Sequence, residues 1–141
     1  MLARSFLSAS DLHMTEVERD ALITVLGMLE RGELIFSRWF SPVVVNGPRG
    51  FSMAVCMAKT SCGAIGCLCG WANEISNGAA FANLHKLDFV QKMPEPLIRL
   101  FRFDAPTVSS EDIEPEQAAQ ALMNFLTSGE ARWMEVLFPQ H

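Results

Sequence analysis

The 141 residues of the chain, 50% of them hydrophobic and 19% charged, predict one compact domain over residues 1–141 and exclude a disordered protein. The net charge of -5, together with basic residues that form no dense stripe, argues against binding to nucleic acid. No apolar run approaches the roughly 18 residues that span a membrane, and the N-terminal segment lacks the apolar core of a signal peptide, so we expect a cytoplasmic protein that contacts no membrane.

The first predicted element is a helix over residues 16–31. Thr15 and Glu18 have the spacing of a capping box, in which each side chain accepts a hydrogen bond from the other residue's main chain. Gly32 provides a stop signal. The apolar face expected between these two signals consists of Leu22, Val25, Leu26 and Leu29.

The segment after this helix contains a β-branched run, Val43 to Val45, followed by turn-forming residues around Gly47 and Pro48. This pattern fits a short β-hairpin within residues 40–55, although a proline after the turn weakens a hairpin. An ordered loop over a helical core fits equally well. The sequence leaves both alternatives open.

The segment SCGAIGCLCGWA, residues 61–72, combines three cysteines, three glycines and a tryptophan. With Thr60 or Ser61 as N-cap and Asn77-Gly78 as a C-terminal signal, it predicts a helix over residues 63–76. Glycine is costly inside a helix, so the spacing of Gly66 and Gly70 indicates close approach by a neighbouring backbone. We therefore expect a buried central helix lined by small residues.

Three more helices are predicted towards the C-terminus, from PEPLIRLF, PEQAAQALMNFLTSG and ARWMEVLF. The first two have a proline in the first turn, and Gly129 follows the second as a stop signal. Together with the preceding elements they predict a mainly α fold, a single compact domain of about five helices.

Four cysteines, Cys56, Cys62, Cys67 and Cys69, suggest a metal-binding module as one hypothesis. Their spacing is C-x5-C-x4-C-x-C, whereas structural zinc sites usually present paired C-x2–4-C knuckles. If residues 63–76 are helical, Cys67 and Cys69 lie about 200° apart around the axis and cannot share an ion. The spacing therefore favours buried cysteines that pack as small hydrophobic residues, with no metal and no cofactor.

A second hypothesis is a thiol-dependent enzyme or redox sensor. Cys62 would lie at the start of the predicted helix, where main-chain N–H groups favour a thiolate. His85 is the histidine that could act as its base. No G-x-S-x-G, P-loop or dinucleotide-binding pattern occurs in the chain, so we expect no catalytic residues other than these two candidates.

The stretch from Cys62 to Ala72, preceded by Phe51-Ser52-Met53, resembles a pattern in small uncharacterised bacterial and phage-borne proteins. In that group a Phe-x-Met element precedes Cys-Gly-Thr-x-x-Cys-Ile-x-Gly-Trp-Ala. Here Ala64 replaces the threonine, and Cys67 and Cys69 flank the place of the second cysteine. The resemblance implies a recurring packing motif around Gly70-Trp71 and no particular activity.

The remaining hypothesis is a non-catalytic protein that acts through protein–protein contacts, as a homodimer. Residues 38–102 carry seven basic and three acidic side chains, whereas residues 103–141 carry one basic and seven acidic side chains. Opposite charges of this kind favour pairing between two copies about a two-fold axis. The interface residues predicted from the last helix are Trp133, Met134, Leu137 and Phe138.

Overall fold

A computed structural model describes residues 5–36, 49–53, 57–60, 63–81, 94–101 and 112–138. Most of these residues are helical, which confirms the prediction of a mainly α domain. The helices of the described part are α1 (Glu16–Glu30), α2 (Leu68–Ile75), α3 (Glu95–Phe101), α4 (Pro115–Ser128) and α5 (Trp133–Leu137). None of them is both long enough and apolar enough to cross a membrane.

Helix α1 begins and ends as its sequence predicts. The Thr15 hydroxyl accepts from the Glu18 main-chain N–H, and the Glu18 carboxylate accepts from the Thr15 main-chain N–H, both at 3.1 Å. At the other end, Gly32 adopts a φ of +70°, and the main-chain N–H groups of Gly32 and Glu33 donate to carbonyls of the last turn. The predicted helix over residues 16–31 is thus confirmed.

Four short strands form one sheet in the order β1-β2-β4-β3. Strand β2 pairs in parallel with both β1 and β4, whereas β3 pairs with β4 in the antiparallel sense. Two non-local parallel pairs therefore surround β2, and a local hairpin completes the sheet. The strands are β1 (Ile35–Phe36), β2 (Arg49–Phe51), β3 (Met57–Thr60) and β4 (Gly63–Gly66).

The sheet corrects two predictions. The hairpin consists of β3 and β4, further along the chain than residues 40–55, and the part of that range that is described, β2, pairs in parallel with β1 instead. The predicted helix over residues 63–76 is wrong in its first part, because residues 63–66 form β4. Pairing with β3 provides hydrogen bonds for a segment whose glycines are costly inside a helix.

Helix α2 is therefore shorter than predicted and begins after Cys67. Its first half is buried, including Gly70 and Ala72, and it packs against both α1 and β4. At its end Asn77 adopts a φ of +56° and Gly78 donates to the Asn73 carbonyl at 2.8 Å, so Asn77-Gly78 terminates the helix as predicted. The buried central helix is confirmed for α2 alone, and Gly66 does not belong to it.

The hydrophobic core lies between α1, α2 and α4, with α1 in contact with both other helices. Trp71 on α2 is 4% exposed, and its indole N–H donates to the Gly50 carbonyl of β2 at 2.9 Å. One oxygen of Glu18 accepts at 3.4 Å from the main-chain N–H of Phe81, whose ring contacts Phe101 of α3 edge-to-face. These side chains connect the first helix, the sheet and the C-terminal helices around one core.

Candidate interaction surface

The cysteine segment does not bring sulfur ligands together in the part of the chain that the structure describes. Cys67 and Cys69 are both buried, at 8% and 6% exposure. Among the described residues, no three histidine, cysteine or carboxylate side chains are placed to hold a metal ion. Cys56, Cys62 and His85 lie outside the described residues. The metal hypothesis and the Cys62–His85 pair stay predictions.

The structure corrects the position of the thiol at the helix start. Cys67, and not Cys62, is the N-cap of α2, and its sulfur accepts a hydrogen bond from the Gly70 main-chain N–H at 3.4 Å. Strand β4 separates Cys62 from this helix. The Cys67 sulfur therefore satisfies one of the main-chain N–H groups that every helix leaves without an intrahelical partner at its start.

We predict that Cys67 and Cys69 resist alkylation in the folded protein, because both side chains are buried in the core around α2. Mass spectrometry after a short exposure to iodoacetamide should find both unmodified, and both should be labelled once urea unfolds the chain. Rapid labelling of both residues in the folded protein would show that the N-terminal half of α2 is accessible to solvent.

The C-terminal helix α5 is fixed to the body of the protein by its first residue. Trp133 is 6% exposed, and its indole N–H donates at 3.1 Å to the carbonyl of Leu100. Leu100 lies in the last turn of α3, where carbonyls have no intrahelical partner. The orientation of α5 relative to α3 is set by this bond and by the buried indole ring.

The connection between α4 and α5 is held by side-chain amides. Asn124 of α4 donates to the Ala131 carbonyl at 3.0 Å and accepts from Gln120 at 2.9 Å. Ala131 is buried, and Arg132, with a φ of +54°, then reverses the chain into α5. These contacts determine which residues of α5 face outwards.

The four predicted interface residues divide between the two faces of α5. Trp133 and Leu137 are one turn apart and pack against the core. Met134 and Phe138 are also one turn apart, and Met134 is 51% exposed while Phe138 is partly exposed. We call Met134 and Phe138 the α5 surface. Trp133 supports this surface from within the chain and does not itself lie on it.

Charged residues border the α5 surface. Arg132 and Glu135 form an ion pair at 3.8 Å, with 44% and 70% of their side chains exposed, and Glu130 is exposed nearby in the chain. An apolar centre with a polar, solvent-accessible rim is the usual anatomy of a protein–protein interface. The arrangement can bind an apolar side chain of another protein and offers acidic groups at its border.

Comparison with known protein families, with curated proteins and with solved structures gives no match for this chain. The resemblance noted at Cys62 to Ala72 stays a prediction, and function has to be argued from the geometry of the described residues.

Two polar contacts that sequence patterns did not indicate also shape the described structure. Arg19 donates through Nε to the Leu7 carbonyl at 2.7 Å, and the Leu7 main-chain N–H donates to the Leu126 carbonyl at 2.8 Å. Arg19 is the one basic residue within α1, which is a weak signal for a specific role. Its partner could not be identified from spacing, because the contact joins residues that are distant from α4 in the sequence.

Proposed function

We propose that this protein acts through contacts with other protein chains rather than by catalysis, and that it forms a homodimer through the α5 surface. The observation that supports this most is the exposure of Met134 on a helix whose orientation is fixed by the buried Trp133. A large apolar side chain held outwards by a fixed support loses little conformational freedom when a partner covers it.

A second copy is the partner we propose because the charges around α5 are suited to self-pairing. Arg99 on α3 is exposed and adjoins Leu100, the residue that binds Trp133, so a basic group lies near the acidic border of α5. In a two-fold dimer the same patch is used twice, so Arg99 of one copy can approach Glu135 of the other. Charge then directs encounter, and the apolar residues provide most of the affinity.

The test is sedimentation equilibrium of the wild-type chain and of Met134→Glu. We expect the wild-type chain to dimerise and the variant to weaken the dimer about tenfold or more, because it places a charge at the apolar centre of the interface. Higher salt should weaken the wild-type dimer modestly, since the exposed ion pairs are screened.

Val17→Glu is a matched control. Val17 is 47% exposed and is the second residue of α1, as Met134 is the second residue of α5, so the two changes add the same charge at equivalent helix positions. The control should leave the dimer unchanged. A wild-type chain that stays monomeric at high micromolar concentration, or equal effects of the two variants, would contradict the proposed dimer.

A further inference from the structure

Both main-chain polar groups of Leu7 are held by side-chain and main-chain groups of the helices. Its N–H donates to the carbonyl of Leu126 in α4 at 2.8 Å, and its carbonyl accepts from Nε of Arg19 in α1 at 2.7 Å. One acceptor and one donor therefore grip the two sides of a single residue. This is how proteins hold an extended peptide by its backbone.

Both gripping groups are available for structural reasons. The carbonyl of Leu126 belongs to the last turn of α4, where the helix provides no partner. Arg19 is largely buried beside α4, which has no basic residue in its own last turn. The guanidinium thus supplies positive charge near the negative end of that helix dipole.

The segment around Leu7 is attached to the rest of the chain by a compact turn. Residues 8–14 form main-chain hydrogen bonds among themselves, and the buried side chains of Ala9 and Leu12 anchor this turn. His13 adopts a φ of +56°, a conformation that side-chain-bearing residues rarely adopt. Phe6 and Leu7 are only partly buried against the core. We call residues 5–7 the N-terminal arm.

We propose that the Leu126–Arg19 pair is a peptide-binding site whose ligand within one chain is the N-terminal arm, and that it accepts the arm of a second copy when its own arm is displaced. The two backbone bonds set the position of the bound segment. The partly buried side chains of Phe6 and Leu7 make it selective for an apolar ligand.

This site lies on α1 and α4, so its occupancy does not depend on the α5 surface. An attached arm competes at an effective concentration in the millimolar range, which keeps the site occupied within one chain in dilute solution. Exchange of arms between copies requires that the arm detach without unfolding of the core.

The experiment uses the full chain with Leu7→Pro, which removes the N–H that donates to Leu126. The ¹⁵N-labelled variant is titrated with a synthetic peptide of residues 3–10, followed by NMR. We expect saturable shifts at the amides of residues 126–130 and at the Arg19 Nε–H group. The wild-type chain should bind the peptide at least about tenfold more weakly, because its own arm competes.

Two controls test the grip itself. The same peptide with Leu7→Pro should give no saturable shifts, and adding Arg19→Met to the Leu7→Pro chain should weaken binding of the wild-type peptide about tenfold or more, through loss of a charge-assisted bond. A folded Leu7→Pro chain that binds neither peptide, or both equally, would overturn the proposal.

If Leu7→Pro prevents folding, hydrogen exchange in the wild-type chain decides. Detachment of the arm predicts that the Leu7 amide exchanges at least about tenfold faster than the amide of Val25 in the core of α1. Equal rates would mean that the arm is released only when the whole domain unfolds, and the site would then be a fixed part of the core.

Discussion

Trp71→Ala should lower the free energy of unfolding by about 3–5 kcal/mol, the range found when large aromatic side chains are removed from cores. Trp71 is 4% exposed, and its ring lies between the helices and the sheet. Its indole N–H also donates to the Gly50 carbonyl, which links α2 to β2. Losing both the packing and this bond represents a large fraction of the stability of a typical domain.

Urea unfolding followed by circular dichroism measures this change. Trp71→Phe keeps most of the aromatic volume and loses the hydrogen bond, so it should cost about 1–2 kcal/mol. Val17→Ala on the exposed face of α1 should change stability by less than about 0.5 kcal/mol. If Trp71→Ala were as mild as Val17→Ala, the contact between α2 and the sheet would not contribute to stability.

Trp133→Ala should lower the free energy of unfolding by a similar amount, about 3–5 kcal/mol, because the indole is buried and binds the Leu100 carbonyl. The loss should be concentrated at the junction of α3 and α5. Hydrogen exchange followed by mass spectrometry should therefore show a larger increase in exchange at residues 94–101 and 133–138 than within α1.

Met134→Glu is the matched comparison for this variant. It changes the exposed neighbour of Trp133 and should alter stability by less than about 0.5 kcal/mol while weakening the proposed dimer. Trp133→Ala should weaken the dimer only indirectly, through loss of support for α5. If Trp133→Ala left stability unchanged and abolished dimerisation, the indole would lie in the interface as the sequence predicts, and not in the core.

The helices were predictable because their signals are local. The capping box of Thr15 and Glu18, the proline that opens α4 and the glycine at residue 129 each act within a few residues of the helix end that they determine. The split of α5 into inner and outer residues required the position of Leu100, which lies 33 residues away from Trp133 in the sequence. Contacts of that kind leave no periodic pattern.

The strand over residues 63–66 was not predictable from the same reasoning. Glycine, alanine and isoleucine fit a short buried strand as well as the start of a close-packed helix. Pairing of Met57 with Gly66 and of Thr60 with Gly63 decides between them, and that pairing depends on a neighbouring segment with no strong strand pattern of its own. The misplaced helix start then led to the choice of Cys62 instead of Cys67 as the residue at the helix N-terminus.

The strand order β1-β2-β4-β3 has a consequence for how fast the chain can fold. The β3–β4 hairpin and the five helices close short loops, whereas β2 must find β1 on one side and β4 on the other, each about fifteen residues away in sequence. Loop-closure entropy opposes these two pairings before any contact compensates for it. Insertion of β2, with formation of the Trp71–Gly50 bond, is accordingly the step expected to limit the folding rate, after hairpin and helices have formed.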